Sequence, residues 1–231
     1  MSLPKPYYSE PGITIYCGDN RDILPHLEVS DICVTDPPYG ISWQSNWNAK
    51  EKHFGKIVGD GEVKTSWIYD LQSENVYCFT RWDVMQQFVD AFNQSPVLRV
   101  KDVLVWDKLS HGAGDLNSWA PTYEMIIFAC TQSPKLLGTR PQNVLRHWRV
   151  DGGATGVSSG RLLSHPAEKP VPLLTDIIQK HLGTVVDPFM GSGSVLRACK
   201  DLGRKVVGIE IDEKWCDLAV KRLQQEVFDF K

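Results

Sequence analysis

The sequence predicts an α/β fold with a largely parallel sheet, and two observations lead to this prediction. Short apolar runs alternate along the chain with segments of helical periodicity, which is typical of parallel strands joined by helices. At 231 residues, of which 42% are hydrophobic and 23% charged, the chain is also long enough to bury one sizeable core. We therefore expect residues 1–231 to form a single domain.

The predicted strands are short apolar runs bounded by turn residues. A continuous apolar run of this kind is consistent with a buried strand. In chain order the strands are predicted at Ile13 to Cys17, Asp31 to Thr35, Asn75 to Thr80, Val100 to Trp106, Tyr123 to Cys130, Thr184 to Asp187 and Lys205 to Ile211.

The predicted helices are segments in which apolar residues recur at helical spacing. They cover Asp83 to Asn93, Glu168 to His181, Ser194 to Leu202 and Glu213 to Val227. Gly183 and Gly203 come just after two of these helices, where a residue that is free to adopt a positive φ is expected.

Three stretches fit neither a strand nor a helix. Residues 40–61, 108–120 and 132–164 are polar or rich in glycine. Unstructured stretches of this length inside a compact domain are usually functional or mobile.

Composition excludes several classes of protein. The six cysteines are scattered singly, without a CxxC pair or a Cys/His cluster, so we expect reduced thiols and neither a zinc site nor a disulfide framework. No stretch approaches the roughly 18 apolar residues of a membrane span, and the N-terminus lacks a secretion pattern, so an intracellular, cytoplasmic protein is expected. The net charge of −3 means that any contact with nucleic acid must come from local basic patches.

The first motif that indicates chemistry is Asp36-Pro37-Pro38-Tyr39, which directly follows a predicted strand. In open α/β sheets, ligands bind beyond the carboxyl ends of the strands. One group on which such residues can act is the exocyclic amine of a nucleic-acid base. This amine is a poor nucleophile because its lone pair is delocalised into the ring. Hydrogen-bond acceptors for its hydrogens localise the lone pair on the nitrogen. Asp36 can accept one hydrogen and the Pro38 carbonyl the other, while Tyr39 stacks on the base. The prolines fix φ and present carbonyls without a competing donor.

The second motif is a glycine loop between a strand and a helix. Asp187-Pro188-Phe189-Met190-Gly191-Ser192-Gly193 is followed by a helix and then by a strand that ends at Glu210. Amides of such a loop can hold a carboxylate, and an acid about 20 residues further on can bind ribose hydroxyls. Leu196 stands where the dinucleotide fingerprint needs its third glycine, so a nicotinamide or flavin dinucleotide is disfavoured.

Together these residues resemble the amino-methylating (N6-adenine or N4-cytosine) DNA methyltransferases in their permuted β-class arrangement, in which the DPPY motif precedes the FxGxG motif. The resemblance covers most of the chain and includes four further segments in family order. They are Gly18 to Leu24, Val105 to Lys108, Pro121 to Glu124 and His165 to Pro170. It implies a Rossmann-like fold that uses S-adenosylmethionine, with a twisted sheet and helices on both faces.

The resemblance also implies roles for individual residues. Asp187, Phe189, Gly191 and Gly193 would surround the methionine part of S-adenosylmethionine, and Glu210 would bind its ribose. Ile211 would pack on the adenine of the cofactor, Asp19 would contact its amino group, and Lys169 would pair with its carboxylate. Asp36 and Asp187 would lie at neighbouring strand ends, so that a methyl group passes to a flipped base by direct displacement, without a metal.

The expected partner is DNA, and the sequence contains two candidate regions that would contact it. Four arginines, Arg140, Arg146, Arg149 and Arg161, stand against a single acid in residues 140–161, so we interpret residues 132–164 as a DNA-recognition insertion. Residues 40–61, with Trp43, are expected to form a mobile loop over the active site. Lys108 and Glu124 match motifs that line the base pocket, although a structural ion pair is an equal alternative.

Other functions stay open at this point. Asp rather than Ser before Pro-Pro-Tyr resembles the adenine-specific members, and cytosine is the alternative. The same fold acting on RNA or on a protein amide, a dehydrogenase, and a DNA-binding protein without activity are further alternatives. A phage or restriction-modification setting is expected, and a homodimer is compatible with the sequence.

Overall fold

The computed structural model describes residues 3–40, 61–109, 117, 119–132, 136–150 and 168–225. Nine strands in these ranges form one sheet. They are β1 (Tyr8–Glu10), β2 (Ile13–Cys17), β3 (Ser30–Thr35), β4 (Ser73–Thr80), β5 (Arg99–Asp107), β6 (Tyr123–Cys130), β7 (Val144–Arg146), β8 (Val185–Asp187) and β9 (Val206–Glu210).

The helices of the described ranges connect these strands. They are α1 (Asn20–Ile23), a 3₁₀ turn at Leu24–His26, α2 (Trp67–Asp70), α3 (Met85–Gln94), α4 (Val171–Ile178), α5 (Ser194–Asp201) and α6 (Glu213–Gln224). None of the helices in the described part of the chain has the length and apolar character that crossing a membrane would require.

The sheet has a parallel centre and a mixed edge. Its order is β1-β2-β9-β8-β3-β4-β6-β5-β7, and the five strands from β2 to β4 in that order run parallel. β6 is antiparallel to both β4 and β5, whereas β7 is parallel to β5. The carboxyl ends of the central strands therefore lie at the same edge of the sheet as the carboxyl ends of β5 and β7 and the start of β6.

Helices cover both faces of this sheet because successive residues of a strand point to opposite faces. Ile32 and Val34 of β3 belong to a core cluster that also contains buried residues of α4, α5 and α6. Cys33, between them, belongs to a second cluster with α2, α3 and the 3₁₀ turn. The expected α/β fold with helices on both faces is confirmed.

All seven predicted strands and all four predicted helices are present, with small differences at their ends. α4 begins at Val171 rather than at residue 168, because a proline disfavours helical geometry in the residue before it and Pro170 follows Lys169. The prediction missed β1, β7, α1 and α2, which have three or four residues each and are too short for periodicity to reveal. β7 lies within residues 132–164, so that stretch is not wholly irregular.

The cysteines, two tryptophans and one histidine contribute to the packed interior. Five of the six cysteines are buried and all six are free thiols. Trp67 and Trp106 are 1% and 3% exposed, and both belong to the core. His181 is buried, its Nε2 lies 2.8 Å from the Tyr77 hydroxyl oxygen, and burial lowers its pKa to about 4.

Candidate active site

Asp36 and Asp187 lie at the ends of adjacent strands. β3 pairs in parallel with β8 through Ile32 with Val185 and Cys33 with Val186, so the chain leaves both strands at the same edge of the sheet. The adjacency of the two motifs, which are far apart in the sequence, is therefore confirmed. Both aspartates line one cleft with a volume of about 1080 Å³.

The Asp36 carboxylate is held by two side chains. Its Oδ1 accepts a hydrogen bond from the Tyr39 hydroxyl, and its Oδ2 accepts one from Lys169 Nζ. The Asp36 side chain is only 17% exposed. Burial raises the pKa of Asp36 above its ordinary value, and the positive charge of Lys169 opposes that rise. Both Pro38 and Tyr39 line the cleft beside it.

A chain of alternating charges extends from Asp36 across the cleft. Lys169 Nζ also lies 3.3 Å from Glu124 Oε2, and Lys108 Nζ lies 2.8 Å from Glu124 Oε1. Burial disfavours the charge of Glu124, but the two ammonium groups outweigh it and lower the pKa of Glu124. Lys108 and Glu124 thus form an ion pair, and both residues line the cleft.

A short backbone pairing fixes the chain at the end of the Asp36 motif. Tyr39 pairs with Val63 in an isolated antiparallel bridge. Gly40 has a φ of 72°, and a Cβ there would lie 2.7 Å from the Val63 nitrogen. Only glycine therefore fits at this position without displacing the backbone.

Glu210, at the end of β9, is surrounded by backbone donors. Its Oε2 accepts from the Gly191 amide at 3.0 Å and its Oε1 from the Asp212 amide at 2.9 Å. Burial raises the pKa of Glu210, and these amides work against that rise. The carboxylate keeps further lone pairs for hydroxyl donors, so the arrangement fits the expected contact with ribose.

Asp187 and the glycine loop line the cleft between Asp36 and Glu210. Asp187 is 3% exposed, and its Oδ1 accepts from the Phe189 amide at 3.1 Å. Burial raises the pKa of Asp187 to about 8. The amides of Phe189, Met190, Gly191 and Gly193 all donate to groups of the protein itself, so these four do not provide the open anion site that the sequence suggested.

The glycines of the βαβ unit allow close packing. Gly193 has a φ of 77°, and a Cβ there would lie 2.8 Å from the Ala219 Cβ. Leu196 packs against Gly208 of β9, where a Cβ would lie 2.9 Å from the Leu196 Cδ1. The branched side chain that disfavours a dinucleotide site is thus accommodated by a glycine in the neighbouring strand.

The remaining predicted cofactor residues also line the cleft. Phe189 packs edge-on against Trp67, with ring centroids 5.5 Å apart. Ile211 is 49% exposed, as a residue that covers a ligand would be. Asp19 caps α1 by accepting from the Arg21 amide at 3.0 Å, and it also forms an ion pair with that arginine.

The predicted DNA contacts are only partly gathered at the cleft. Lys108 lines it, whereas Arg140, Arg146 and Arg149 do not. Arg146 is the last residue of β7, and its Nε lies 3.6 Å from Asp107 Oδ2. Trp43 and Arg161 lie outside the described residues, as do residues 41–60 and 151–167, so the proposed loop and most of the second half of the insertion are not described.

Sequence reasoning missed several residues of the cleft. Arg81 and Trp82 follow β4, the neighbour of β3, and Trp82 is 71% exposed at the rim. Because they follow a parallel strand, the rule that located Asp36 would also have indicated them. Tyr123, at the start of β6, is 46% exposed at the rim; it lies in the segment Pro121 to Glu124 of the resemblance, but no role was predicted for it. No rule based on carboxyl ends indicates it, because β6 runs in the opposite direction.

Comparison with known proteins places this chain in a family. A family profile described as DNA methylase matches residues 30–221. The type II methyltransferase M2.DpnII of Streptococcus pneumoniae is 40% identical over 262 residues, covering 97% of this chain and 94% of the relative. The DNA adenine methyltransferase YhdJ of Escherichia coli strain K12 is 25% identical over 252 residues, covering 91% of this chain and 82% of the relative.

Two solved structures share the fold. A complex of M1.HpyAVI with SAM superposes with a TM-score of 0.69 at 23% sequence identity, covering 92% of this chain and 100% of the other. The cytosine-N4-specific PvuII DNA methyltransferase gives a TM-score of 0.64 at 15% identity, covering 96% of each chain. These similarities confirm the expected fold class.

Proposed function

This chain belongs to the DNA methyltransferases that methylate base amino groups with S-adenosylmethionine, and we propose that its target is the exocyclic amino group of adenine in DNA. The observation that carries the proposal is the position of Asp36 and Asp187 at adjacent strand ends in one cleft. Its volume of about 1080 Å³ is slightly larger than the roughly 300 to 1,000 Å³ of ordinary ligand sites, and this suits a cofactor together with a base.

The residues present fit S-adenosylmethionine. Glu210 offers a carboxylate whose orientation is fixed by two amides, which suits a ribose diol. Asp187 offers a buried carboxyl group to a ligand that carries positive charge, Phe189 offers apolar surface beside the methionine part, and Ile211 offers apolar surface for a purine. When bound, the cofactor supplies an activated methyl group on a sulfonium centre.

The residues on the other side of the cleft would prepare the base. We propose that Asp36 accepts one amino hydrogen and the Pro38 carbonyl the other, which returns lone-pair density to the nitrogen. Tyr39 would stack on the flipped ring. Because Tyr39 donates to Asp36 in this structure, its hydroxyl occupies one carboxylate oxygen until a base arrives. Removing a base from the stack costs a few kcal/mol, which contacts with the rest of the DNA must offset.

Adenine is favoured over cytosine by two observations. Asp36 stands where many cytosine-specific members of the family have serine, and a relative that covers most of the chain is a DNA adenine methyltransferase. The cytosine amino group is the second candidate, because the PvuII enzyme shares the fold. Action on RNA or on a protein amide is a third outcome that the experiment must separate.

We propose that DNA lies along the carboxyl-terminal edge of the sheet. β7 is parallel to β5, and Asp107 pairs with Arg146, so the chain leaves β7 at the same edge as Asp36. Beyond it, Trp148 is 54% exposed and Arg149 follows. An aromatic and basic segment next to the cleft suits phosphates and base edges. This placement supports residues 132–164 as the DNA-recognition region.

The test is transfer of a labelled methyl group from S-adenosylmethionine to DNA, RNA and protein in parallel. The proposal expects label in DNA only, recovered as N6-methyladenine after digestion to nucleosides. N4-methylcytosine would replace the proposed base with the alternative, and label in RNA or protein would overturn DNA as the substrate. Sedimentation of the protein with and without DNA would test the homodimer.

A further inference from the structure

Lys169 contacts Asp36, the first residue of the Asp36-Pro37-Pro38-Tyr39 motif. Its ammonium donates to Asp36 Oδ2 and lies 3.3 Å from Glu124 Oε2. The Lys169 side chain is 8% exposed, and its ammonium lies 5.1 Å from the centroid of the Phe79 ring. A buried ammonium between two carboxylates and an aromatic face is held in one place from three sides.

We propose that Lys169 is a positioning residue for Asp36, whose Oδ2 it fixes while it keeps the carboxylate ionised, so that Oδ1 is the oxygen that receives the amino hydrogen of the base. This inference rests on the proposed function of the site. It gives Lys169 a role different from the pairing with the cofactor carboxylate that family resemblance implies.

The need for such a residue follows from the surroundings of Asp36. A buried carboxylate is costly unless it is paired, and a protonated one is a poor acceptor for an amino hydrogen. The charged and titratable groups that act on Asp36 or feel its charge come from four strands at the cleft and from the segment before α4. They are Tyr39 after β3, Cys78 of β4, Glu124 of β6, Asp187 of β8 and Lys169 before α4. Among these described groups, Lys169 alone is a cation, so it provides the stabilising charge.

Glu124 and Lys108 hold Lys169 in turn. Lys108 Nζ lies 2.8 Å from Glu124 Oε1, and Lys108 also lies 5.4 Å from the centroid of the Trp106 ring. The four charges alternate in sign and sum to zero. Lys108, just after the end of β5, and Glu124, near the start of β6, therefore fix the position of the Lys169 ammonium. Lys169 in turn fixes the position of the Asp36 carboxylate.

The experiment replaces Lys169 and follows Asp36 directly. The carboxyl of Asp36 is titrated by ¹³C NMR in cofactor-free protein labelled at aspartate, with the Asp36→Asn variant used to assign its signal. Lys169→Gln should move the titration midpoint up by about one pH unit or more, which is a tenfold change in the proton affinity of Asp36. Lys169→Arg keeps the charge and should restore most of the wild-type midpoint. A midpoint that Lys169→Gln leaves unchanged would overturn the proposal.

Two further measurements separate the two roles of Lys169. In Lys169→Gln, kcat on DNA at neutral pH should fall about tenfold or more and recover as the pH rises, while the dissociation constant for S-adenosylmethionine changes less than about threefold. A dissociation constant that rises more than about tenfold, with an unmoved titration of Asp36, would assign Lys169 to the cofactor and overturn the proposal.

Two other variants test whether a shift of the titration midpoint comes from the removed charge or from a loss of folding. Glu124→Gln removes a negative charge near Asp36 and should move the midpoint down, opposite in sign to Lys169→Gln, and a shift in the same direction as in Lys169→Gln would overturn the charge argument. Lys205→Gln changes an exposed lysine before β9, at the other edge of the sheet, and should change neither the midpoint nor kcat.

A wild-type protein that transfers no methyl group to DNA would overturn the proposed function, whereas an active wild type with an unmoved midpoint in Lys169→Gln would overturn this inference alone.

Discussion

The Arg222 Nη2 atom of α6 lies 2.6 Å from Glu168 Oε1, in an ion pair whose side chains are only 4% and 2% exposed. Arg222 also donates to the Ser194 hydroxyl at 2.7 Å, at the start of α5. One guanidinium therefore joins the last helix, the first turn of the glycine-loop helix and the segment that carries Lys169.

Removal of this guanidinium should destabilise the protein strongly. Arg222→Met leaves the Glu168 charge buried without its cation, and we expect the free energy of unfolding to fall by about 3–5 kcal/mol, measured by urea denaturation. The double variant Arg222→Met with Glu168→Leu should recover a large part of this loss, because neither charge remains. A double variant that is less stable than Arg222→Met would contradict this account.

Asp36→Asn should abolish most of the transfer without affecting cofactor binding. The amide can neither carry the negative charge nor pair with Lys169, so we expect kcat to fall by about 10²–10⁴-fold. The dissociation constant for S-adenosylmethionine, measured by calorimetry, should stay nearly unchanged because the carboxylate acts on the base. Equal losses of binding and transfer would refute the role of Asp36.

Glu210→Ala should weaken cofactor binding by about 1–3 kcal/mol, because hydrogen bonds to a charged group are lost and the amides of Gly191 and Asp212 lose their acceptor. Calorimetric titration with S-adenosylmethionine measures the change. Glu213→Ala, an exposed neighbour at the start of α6, is the matched control and should bind normally. A wild-type dissociation constant in Glu210→Ala would contradict a contact with ribose.

Asp187 should make the cofactor-free protein less stable as the pH rises. Its pKa is about 8 in the folded protein against an ordinary value of 3.8, so between these values the folded protein holds a proton that the unfolded chain has released. Stability is therefore lost as the pH rises through this window, by up to about 1.4 kcal/mol per pH unit.

The variant Asp187→Asn isolates this contribution. Urea denaturation at about pH 5 and about pH 8 should show the stability of the variant rising relative to that of the wild type at the higher pH. A difference between the two proteins that does not depend on pH would show that Asp187 titrates at an ordinary pKa.

The sequence predicts the framework better than the contacts within it. The seven apolar runs are strands, because a continuous run of buried residues has few other structures available to it. The two motifs are also found together, because carboxyl ends of parallel strands meet at one edge. β7 escaped prediction because its three residues form a strand by pairing with β5, so its structure depends on a partner rather than on its own pattern.

Pairings between distant charges have no signature in the sequence. Lys169 contacts Asp36 and Glu124 only because three separate segments end at the same place. Arg222 resembles an exposed helical residue, and its burial follows from the position of Glu168. Gly208 likewise shows its purpose only when Leu196 is seen against it.

The bridge between Tyr39 and Val63 has a consequence for how such an enzyme can vary. Tyr39 and Val63 pair close to Asp36, so these two positions, 24 residues apart in the sequence, are held side by side. The entropy of closing a loop changes slowly with its length. The number of residues between these two positions can therefore change in evolution at a small cost in free energy, while the bridge keeps the backbone beside Asp36 in place.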